Sequence, residues 1–171
     1  MNFLSFVEKT DEEPIPADQL ELFIGSISVS LERLFIETIC RTGINPKVLT
    51  TLRWSDIDRL GCSFRIYDKK HTRIIYVPDY ILQKYLLLNL SDGMPIFAYS
   101  DYTLKDILYR NTKRFFGKPK SWHSLRLTYL KIAHSKNIPL EVVAQNMGVS
   151  ADSLLKYWSR SPEEVRHLAN L

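Results

Sequence analysis

The chain has 171 residues, of which 45% are apolar and 25% are charged. This balance is typical of one globular domain and excludes a wholly disordered chain. No stretch reaches the roughly 18 apolar residues that a membrane helix needs, and no basic leader precedes the first apolar residues. Two cysteines, Cys40 and Cys62, provide neither a disulfide framework nor a paired metal motif. We therefore expect a cytoplasmic protein with no membrane contact and no metal site.

The net charge of +4 is unevenly distributed along the chain. Residues 1–30 contain six acidic side chains and one basic side chain, so the remaining 141 residues carry a net charge of +9. Between Asp101 and Lys131 there are eight basic residues and two acidic ones. A surface of this kind suits a polyanion, with nucleic acid as the first candidate. A solvated, lysine-rich face explains the same charge pattern equally well.

Hydrophobic periodicity divides the chain into a tail and one domain. Residues 1–16 are acidic and end in Pro14-Ile15-Pro16, which predicts an N-terminal tail or linker, and residues 17–171 form the domain. Alternating residues at 62–67 and 73–77, around a polar turn at 68–72, predict a β-hairpin. Helical spacing and capping residues predict helices elsewhere, at about 18–24, 28–41, 46–53, 80–89, 100–116, 121–135, 139–147, 150–157 and 161–171. The predicted fold class is mainly α with a small antiparallel hairpin or sheet.

The segment Trp122-His123-Ser124-Leu125-Arg126 begins one of these helices, directly after the basic stretch. Because His123 and Arg126 are three residues apart, their side chains project from one helix face. Backbone N–H groups also point outward at a helix start, so this arrangement favours an anion. Several further short segments accompany it in a fixed order, namely Thr42-Gly43-Ile44, Leu52-Arg53-Trp54-Ser55-Asp56-Ile57-Asp58, the hairpin with Lys69 and Lys70, Met147-Gly148-Val149-Ser150, and Tyr157.

This ordered set resembles the catalytic domain of the tyrosine recombinase (phage integrase) family, over roughly Pro16 to His167. His123 and Arg126 match the family's HxxR motif, Gly148 matches its glycine 25 positions further on, and Tyr157 matches its nucleophile. The resemblance implies DNA recombination or integration by a mobile element, with a protein found in the cytoplasm at the nucleoid or element. Family members normally add an N-terminal DNA-clamping domain, so we expect a fragment or a protein that works without that domain.

The resemblance also implies roles for individual residues. The Tyr157 hydroxyl would attack a phosphate of double-stranded DNA, leaving a 3′-phosphotyrosine and a free 5′-hydroxyl without metal or cofactor. Arg126 would clamp the phosphate, His123 would assist as acid or base, and Lys70, preferred to Lys69, would protonate the 5′-oxygen. A C-terminal helix would assemble a homo-oligomer on DNA. The basic side chains expected to contact DNA are Lys69, Lys113, Arg114, Lys118 and Lys120.

Three departures from the family pattern bear on activity. Asn45 occupies the position of the first catalytic arginine, Val149 occupies a usual histidine position, and the interval from Gly148 to Tyr157 is nine residues, one shorter than commonly seen. Losing one oxyanion donor typically costs about 10²–10³ in rate, so these departures predict impaired catalysis. Candidates for a substitute positive charge are Lys47, Arg41 and Arg53.

Alternative interpretations fit parts of the same sequence. Tyr157 precedes Trp158 at a helix end, where an aromatic pair also suits core packing, and Lys69 and Lys70 also suit a solvated turn. Residues 143–150, followed by Leu154 and Leu155, resemble a helix-turn-helix unit. That pattern would describe a non-catalytic DNA-binding regulator. A recombinase-like domain that has lost catalysis but still binds DNA is a further alternative.

Overall fold

The computed structural model describes residues 9–158 of the chain, which form eight α-helices and three β-strands. The helices are α1 Ala17–Ser26, α2 Ser30–Thr42, α3 Pro46–Leu49, α4 Asp79–Leu86, α5 Asp101–Phe116, α6 Trp122–Ser135, α7 Leu140–Met147 and α8 Ala151–Trp158. No helix in this range combines the length and the apolar character needed to cross a membrane. The predicted fold class is confirmed, whereas the helix predicted over 161–171 lies outside the described residues.

The three strands form one antiparallel sheet in the order β1-β2-β3, with β1 Ile57–Asp58, β2 Ser63–Asp68 and β3 His71–Tyr76. Asp68 pairs with His71, so the turn contains only Lys69 and Lys70, and the predicted turn over 68–72 was too long. Both lysines have positive φ, 48° and 67°. This is the backbone of a type I′ turn, whose twist matches that of the flanking strands.

Helix α2 lies in the main core and anchors the start of α6. Phe35 on α2 is fully buried. Its ring makes edge-on contacts with the rings of Phe97, Tyr99 and Trp122, at centroid distances of 4.9, 5.3 and 5.6 Å. Contacts of this kind stabilise by about 0.5–1.5 kcal/mol beyond the area they bury. Trp122, the half-buried first residue of α6, is thus fixed against the core.

A second, smaller apolar cluster joins α6, α7 and α8. Tyr129 and Leu130 from α6, Val143 and Met147 from α7, and Leu154 from α8 are all buried in it. The ring of Trp158 meets the ring of His134 edge-on at 4.9 Å. These contacts dock α8 on α6 by the side chains of Leu154 and Trp158.

The described part of the acidic N-terminal segment lies against α6 and the residues before it. The Asp11 carboxylate is 2.8 Å from the Lys120 ammonium, and this hydrogen bond lowers the pKa of Asp11. The Glu13 carbonyl accepts hydrogen bonds from Lys120 Nζ and Ser124 Oγ, and the Ile15 N–H donates to Thr128 Oγ1 at 2.9 Å. Residues 11–15, which the sequence assigned to the tail or linker, are therefore docked on the domain.

Candidate active site

Local capping and core packing orient the start of α6. The Ser121 hydroxyl accepts a hydrogen bond from the Ser124 N–H at 3.1 Å, which satisfies one of the unpaired donors at the helix start. Trp122 packs against the core, and His123 is exposed. The half-buried Trp122 packs on the core and leaves the next side chain, His123, at the surface.

Arg126 is held by two backbone carbonyls from distant parts of the chain. Its Nε donates to the Gly43 carbonyl at 2.8 Å, and its Nη2 donates to the Met147 carbonyl. Burial lowers the pKa of Arg126, and the nearby positive charge of Arg73 lowers it further. A guanidinium ordered by neutral carbonyls keeps its positive charge for an incoming anion.

The glycine of the Thr42-Gly43-Ile44 segment is required by this geometry. Gly43 ends α2 in the left-handed conformation, with φ of 70°, which glycine adopts without a steric penalty. A methyl group at this position would lie 2.7 Å from Met147 Cγ. Gly43 thus brings its carbonyl to Arg126 and allows α7 to pack closely.

Asn45, at the position of the expected first arginine, has a structural role. Its Oδ1 accepts a hydrogen bond from the Lys47 N–H at 2.9 Å and caps α3. The three candidate substitutes have other partners: Arg41 pairs with Glu21, Arg53 Nη1 donates to the Gly93 carbonyl at 2.5 Å, and Lys47 Nζ lies 3.7 Å from Asp101.

Tyr157 lies on α8 beside His123. The residue is 45% exposed, and the centroids of the two rings are 6.3 Å apart. The structure therefore brings Tyr157 on α8 close to His123 on α6. Arg126 lies three residues after His123 on the same helix. Leu154 and Trp158 supply the packing of α8 instead of Tyr157, so the core-packing interpretation does not describe this tyrosine.

The hairpin reaches the same region through Arg73, which sequence reasoning did not identify. Lys69 and Lys70 are exposed at the tip. Arg73 Nη2 is 3.0 Å from Asp68 Oδ2, and Nη1 donates to the Gln145 carbonyl at 2.5 Å. A methyl group on Gly148 would lie 2.8 Å from Arg73 Cζ. Gly148, which the family resemblance had already singled out, is the one feature of the sequence that indicates the close approach of Arg73 to the end of α7.

The basic stretch is less open to solvent than its composition suggests. Arg110 pairs with Glu32 and Asp106, each at 2.8 Å. Arg114 donates to Asn111 Oδ1 at 2.9 Å and to the Ser26 carbonyl at 3.2 Å. The Lys120 side chain is 4% exposed and is paired with Asp11. Lys113 is half-buried and Lys118 is exposed.

Solved structures of recombinases share this fold over nearly the whole chain. A XerA recombinase superposes with a TM-score of 0.74 at 17% identity, covering 95% of this chain and 65% of its own. The Tn1549 transposon integrase in complex with transposon right end DNA also gives a TM-score of 0.74, at 14% identity over 94% and 66%. XerH site-specific recombinase bound to difH substrate gives 0.73 at 17% identity over 95% and 55%.

A curated relative is similar in sequence as well. Prophage integrase IntF of Escherichia coli strain K12 is 26% identical over 162 residues, which cover 83% of this chain. The chain spans 33% of the length of that relative. No protein-family model matches the sequence. The chain therefore has the fold of a tyrosine recombinase catalytic domain and is similar in sequence to a prophage integrase.

Proposed function

We propose that this domain binds double-stranded DNA and breaks and rejoins one strand through a 3′-phosphotyrosine at Tyr157, as part of a recombination or integration reaction of a mobile element. The observation that carries the proposal is the position of the exposed Tyr157 ring beside His123, 6.3 Å between centroids. Because Arg126 lies three residues after His123 on α6, we expect a tyrosine placed there to reach a phosphate held by Arg126. The carbonyl-bound guanidinium of Arg126 supplies the oxyanion binder.

The proposed cleavage step is an exchange of one phosphodiester for another. The Tyr157 oxygen forms a bond to phosphorus, and the phenolic proton passes to His123. The bond between phosphorus and the 5′-oxygen breaks, and this oxygen receives a proton from the Lys70 ammonium. Because the tyrosyl ester keeps the energy of the phosphodiester, attack by a 5′-hydroxyl reverses the step without a nucleotide cofactor.

Phosphate contacts along the duplex are assigned to Lys69, Lys113, Arg114 and Lys118. Lys69 and Lys118 are exposed, and contacts of this type position the protein without reading sequence. We leave Lys120 out of this set because its ammonium is already paired with Asp11 inside the fold. The similar Tn1549 transposon integrase was solved in complex with DNA, which supports a DNA partner for this chain.

The proposal includes reduced catalytic power, action at the nucleoid or on a mobile element, and assembly on DNA. Asn45 caps a helix at the position where the family resemblance implies an arginine. The proposed site therefore has the guanidinium of Arg126 without a second guanidinium from that position. Assembly into a homo-oligomer is assigned to residues 161–171, which lie outside the described residues. Their sequence combines a capping-box pattern at Ser161-Pro-Glu-Glu164 with the apolar stripe Val165, Leu168 and Leu171.

Covalent trapping tests the proposed function directly. The probe is a pool of 5′-labelled duplexes with a randomised core, each nicked just 3′ of that core so that the short 5′-hydroxyl fragment diffuses away after cleavage. We expect a labelled protein–DNA adduct that survives denaturing detergent and disappears after protease treatment. Sequencing the trapped DNA then gives the preferred site.

Two tyrosine variants make the trapping experiment specific. Tyr157→Phe should abolish the adduct, whereas Tyr102→Phe, the same change at a 79% exposed tyrosine of α5, should leave it unchanged. Retention of the adduct in Tyr157→Phe would overturn the assignment of the nucleophile. DNA binding by the natural chain without any adduct would instead favour a non-catalytic protein, either the helix-turn-helix regulator or a recombinase-like domain that has lost catalysis.

A further inference from the structure

The open edge of the hairpin is attached to the end of α7. Asn146 is 3% exposed, and its side-chain amide makes both hydrogen bonds that a neighbouring strand would make. Oδ1 accepts from the Tyr76 N–H at 3.0 Å, and Nδ2 donates to the Tyr76 carbonyl at 3.1 Å. Gln145 Nε2 donates to the Ile74 carbonyl at 2.9 Å. The sheet and α7 are thus joined by side chains that replace a missing strand.

Arg73 lies at the centre of this junction. Its side chain is 16% exposed, and its Nη1 donates to the carbonyls of Gln145 and Asn146 at 2.5 and 3.2 Å. These carbonyls are in the last turn of α7, where a positive charge is stabilising. Arg126 donates to the next carbonyl, that of Met147. Two arginines from different elements therefore bind three consecutive carbonyls at one helix end.

The guanidinium of Arg73 also contacts the base of the turn that contains Lys70. Arg73 Nη2 is 3.0 Å from Asp68 Oδ2 across the hairpin, and Asp68 is the last residue before the two-lysine loop. Both lysines are left-handed, with φ of 48° and 67°, a conformation that costs roughly 1–2 kcal/mol for each residue with a side chain. Type I′ turns prefer Asn-Gly for this reason. A turn with two lysines depends on external contacts for a single orientation.

From these contacts we propose that Arg73 is a positioning residue, which holds the Lys70 ammonium at the phosphate bound by Arg126. This inference rests on the proposed function, because it concerns proton donation from Lys70 to the departing 5′-oxygen. Arg73 connects the hairpin tip to the end of α7, and Gly148, which admits the guanidinium of Arg73, begins the turn into α8 with Tyr157. Lys70, the proposed proton donor, and Tyr157, the proposed nucleophile, are thereby both connected to the C-terminal end of α7.

A sulfur leaving group separates positioning from other roles of Arg73. The probe is the duplex recovered by trapping, with the 5′-oxygen at the scissile phosphate or with sulfur in its place. With sulfur, the bond between phosphorus and sulfur breaks and a thiolate leaves without a proton, because thiols ionise near pH ~8.5. We expect Arg73→Met to lower cleavage of the oxygen substrate about 100-fold, the scale of a misplaced catalytic group, and to leave cleavage of the sulfur substrate within about threefold of the natural protein.

The comparison between substrates is independent of stability, because an unfolded fraction of Arg73→Met lowers both rates alike. Arg65→Met, an equal change at an exposed arginine on β2, is the matched control and should leave both rates unchanged. The double variant with Lys70→Met should cleave the oxygen substrate no more slowly than Lys70→Met alone, since residues that act as a unit are not additive.

The outcomes distinguish the two proposals. Equal loss by Arg73→Met on both substrates, or additive losses in the double variant, would overturn the positioning role of Arg73. Failure of sulfur to rescue Lys70→Met would overturn the proton-donor role of Lys70 and the positioning role with it. Absence of any adduct with the natural protein on either substrate would refute the proposed function itself.

Discussion

The start of α6 and the tip of the hairpin each carry a basic group that the proposed chemistry uses, but the two groups are held in opposite ways. Arg126 is partly buried and bound by carbonyls of two other elements. Lys70 is exposed on a loop of two residues, both in the left-handed conformation. The proposed phosphate binder is therefore ordered without DNA, while the proposed proton donor depends on the Asp68–Arg73 ion pair at the base of its turn.

This difference fits the chemistry assigned to the two groups. An oxyanion binder acts best when its donors need no reorganisation during the reaction. A proton donor has to reach the leaving oxygen only when the phosphate is in place, so an exposed side chain on a turn whose base is held by an ion pair is sufficient. We therefore expect substitutions of Arg126 to lower the cleavage rate strongly. Substitutions that make the left-handed backbone of the turn less costly should mainly change the free energy of unfolding.

The largest effect is expected for Arg126→Lys, which keeps the charge but removes the two-pronged donor. Single-turnover cleavage of the trapped sequence should fall by about 10²–10³. The same change at Arg59, an exposed residue of the loop before β2, is the matched control and should have no effect. A cleavage rate within threefold of the natural protein for Arg126→Lys would show that Arg126 is not the oxyanion binder.

A smaller effect is expected for Lys69→Asn at the first position of the turn. Asparagine tolerates the left-handed conformation, so the free energy of unfolding should rise, by up to about 1 kcal/mol. The measurement is denaturant unfolding. The opposite change, Lys69→Val, places a β-branched side chain there and should lower stability. If both variants changed stability in the same direction, the left-handed turn would be the wrong description of the tip.

Local features of the fold were predictable because they depend on neighbouring residues. Helices were predicted to begin at about residues 46 and 121, and Asn45 and Ser121 cap the helices observed there. The hairpin was predicted from its alternation, but its turn was made too long. Two adjacent lysines carry no glycine or asparagine signal for a two-residue turn, and the strand pairing that enforces it is a property of the folded sheet.

The candidate site was predictable only where a motif marked it. His123, Arg126 and Tyr157 were proposed from their order and spacing; the structure places the rings of His123 and Tyr157 side by side, and Arg126 lies on the same helix as His123. Arg73 was missed because its partners on α7 are more than seventy residues away. Lys120 was predicted to contact DNA, but its buried ammonium pairs with Asp11, which lies 109 residues earlier in the chain. The number of basic residues in a segment does not show which of them form ion pairs with acidic residues from distant parts of the chain.

The most direct test of the proposed chemistry is the identity of the residue joined to DNA. The trapped adduct would be digested with protease and nuclease, and the peptide that retains a nucleotide would be sequenced by mass spectrometry. We expect one modified peptide, with a 3′-linked nucleotide on Tyr157. A nucleotide on any other of the nine tyrosines, or linkage through a 5′-phosphate, would contradict the site described for this domain.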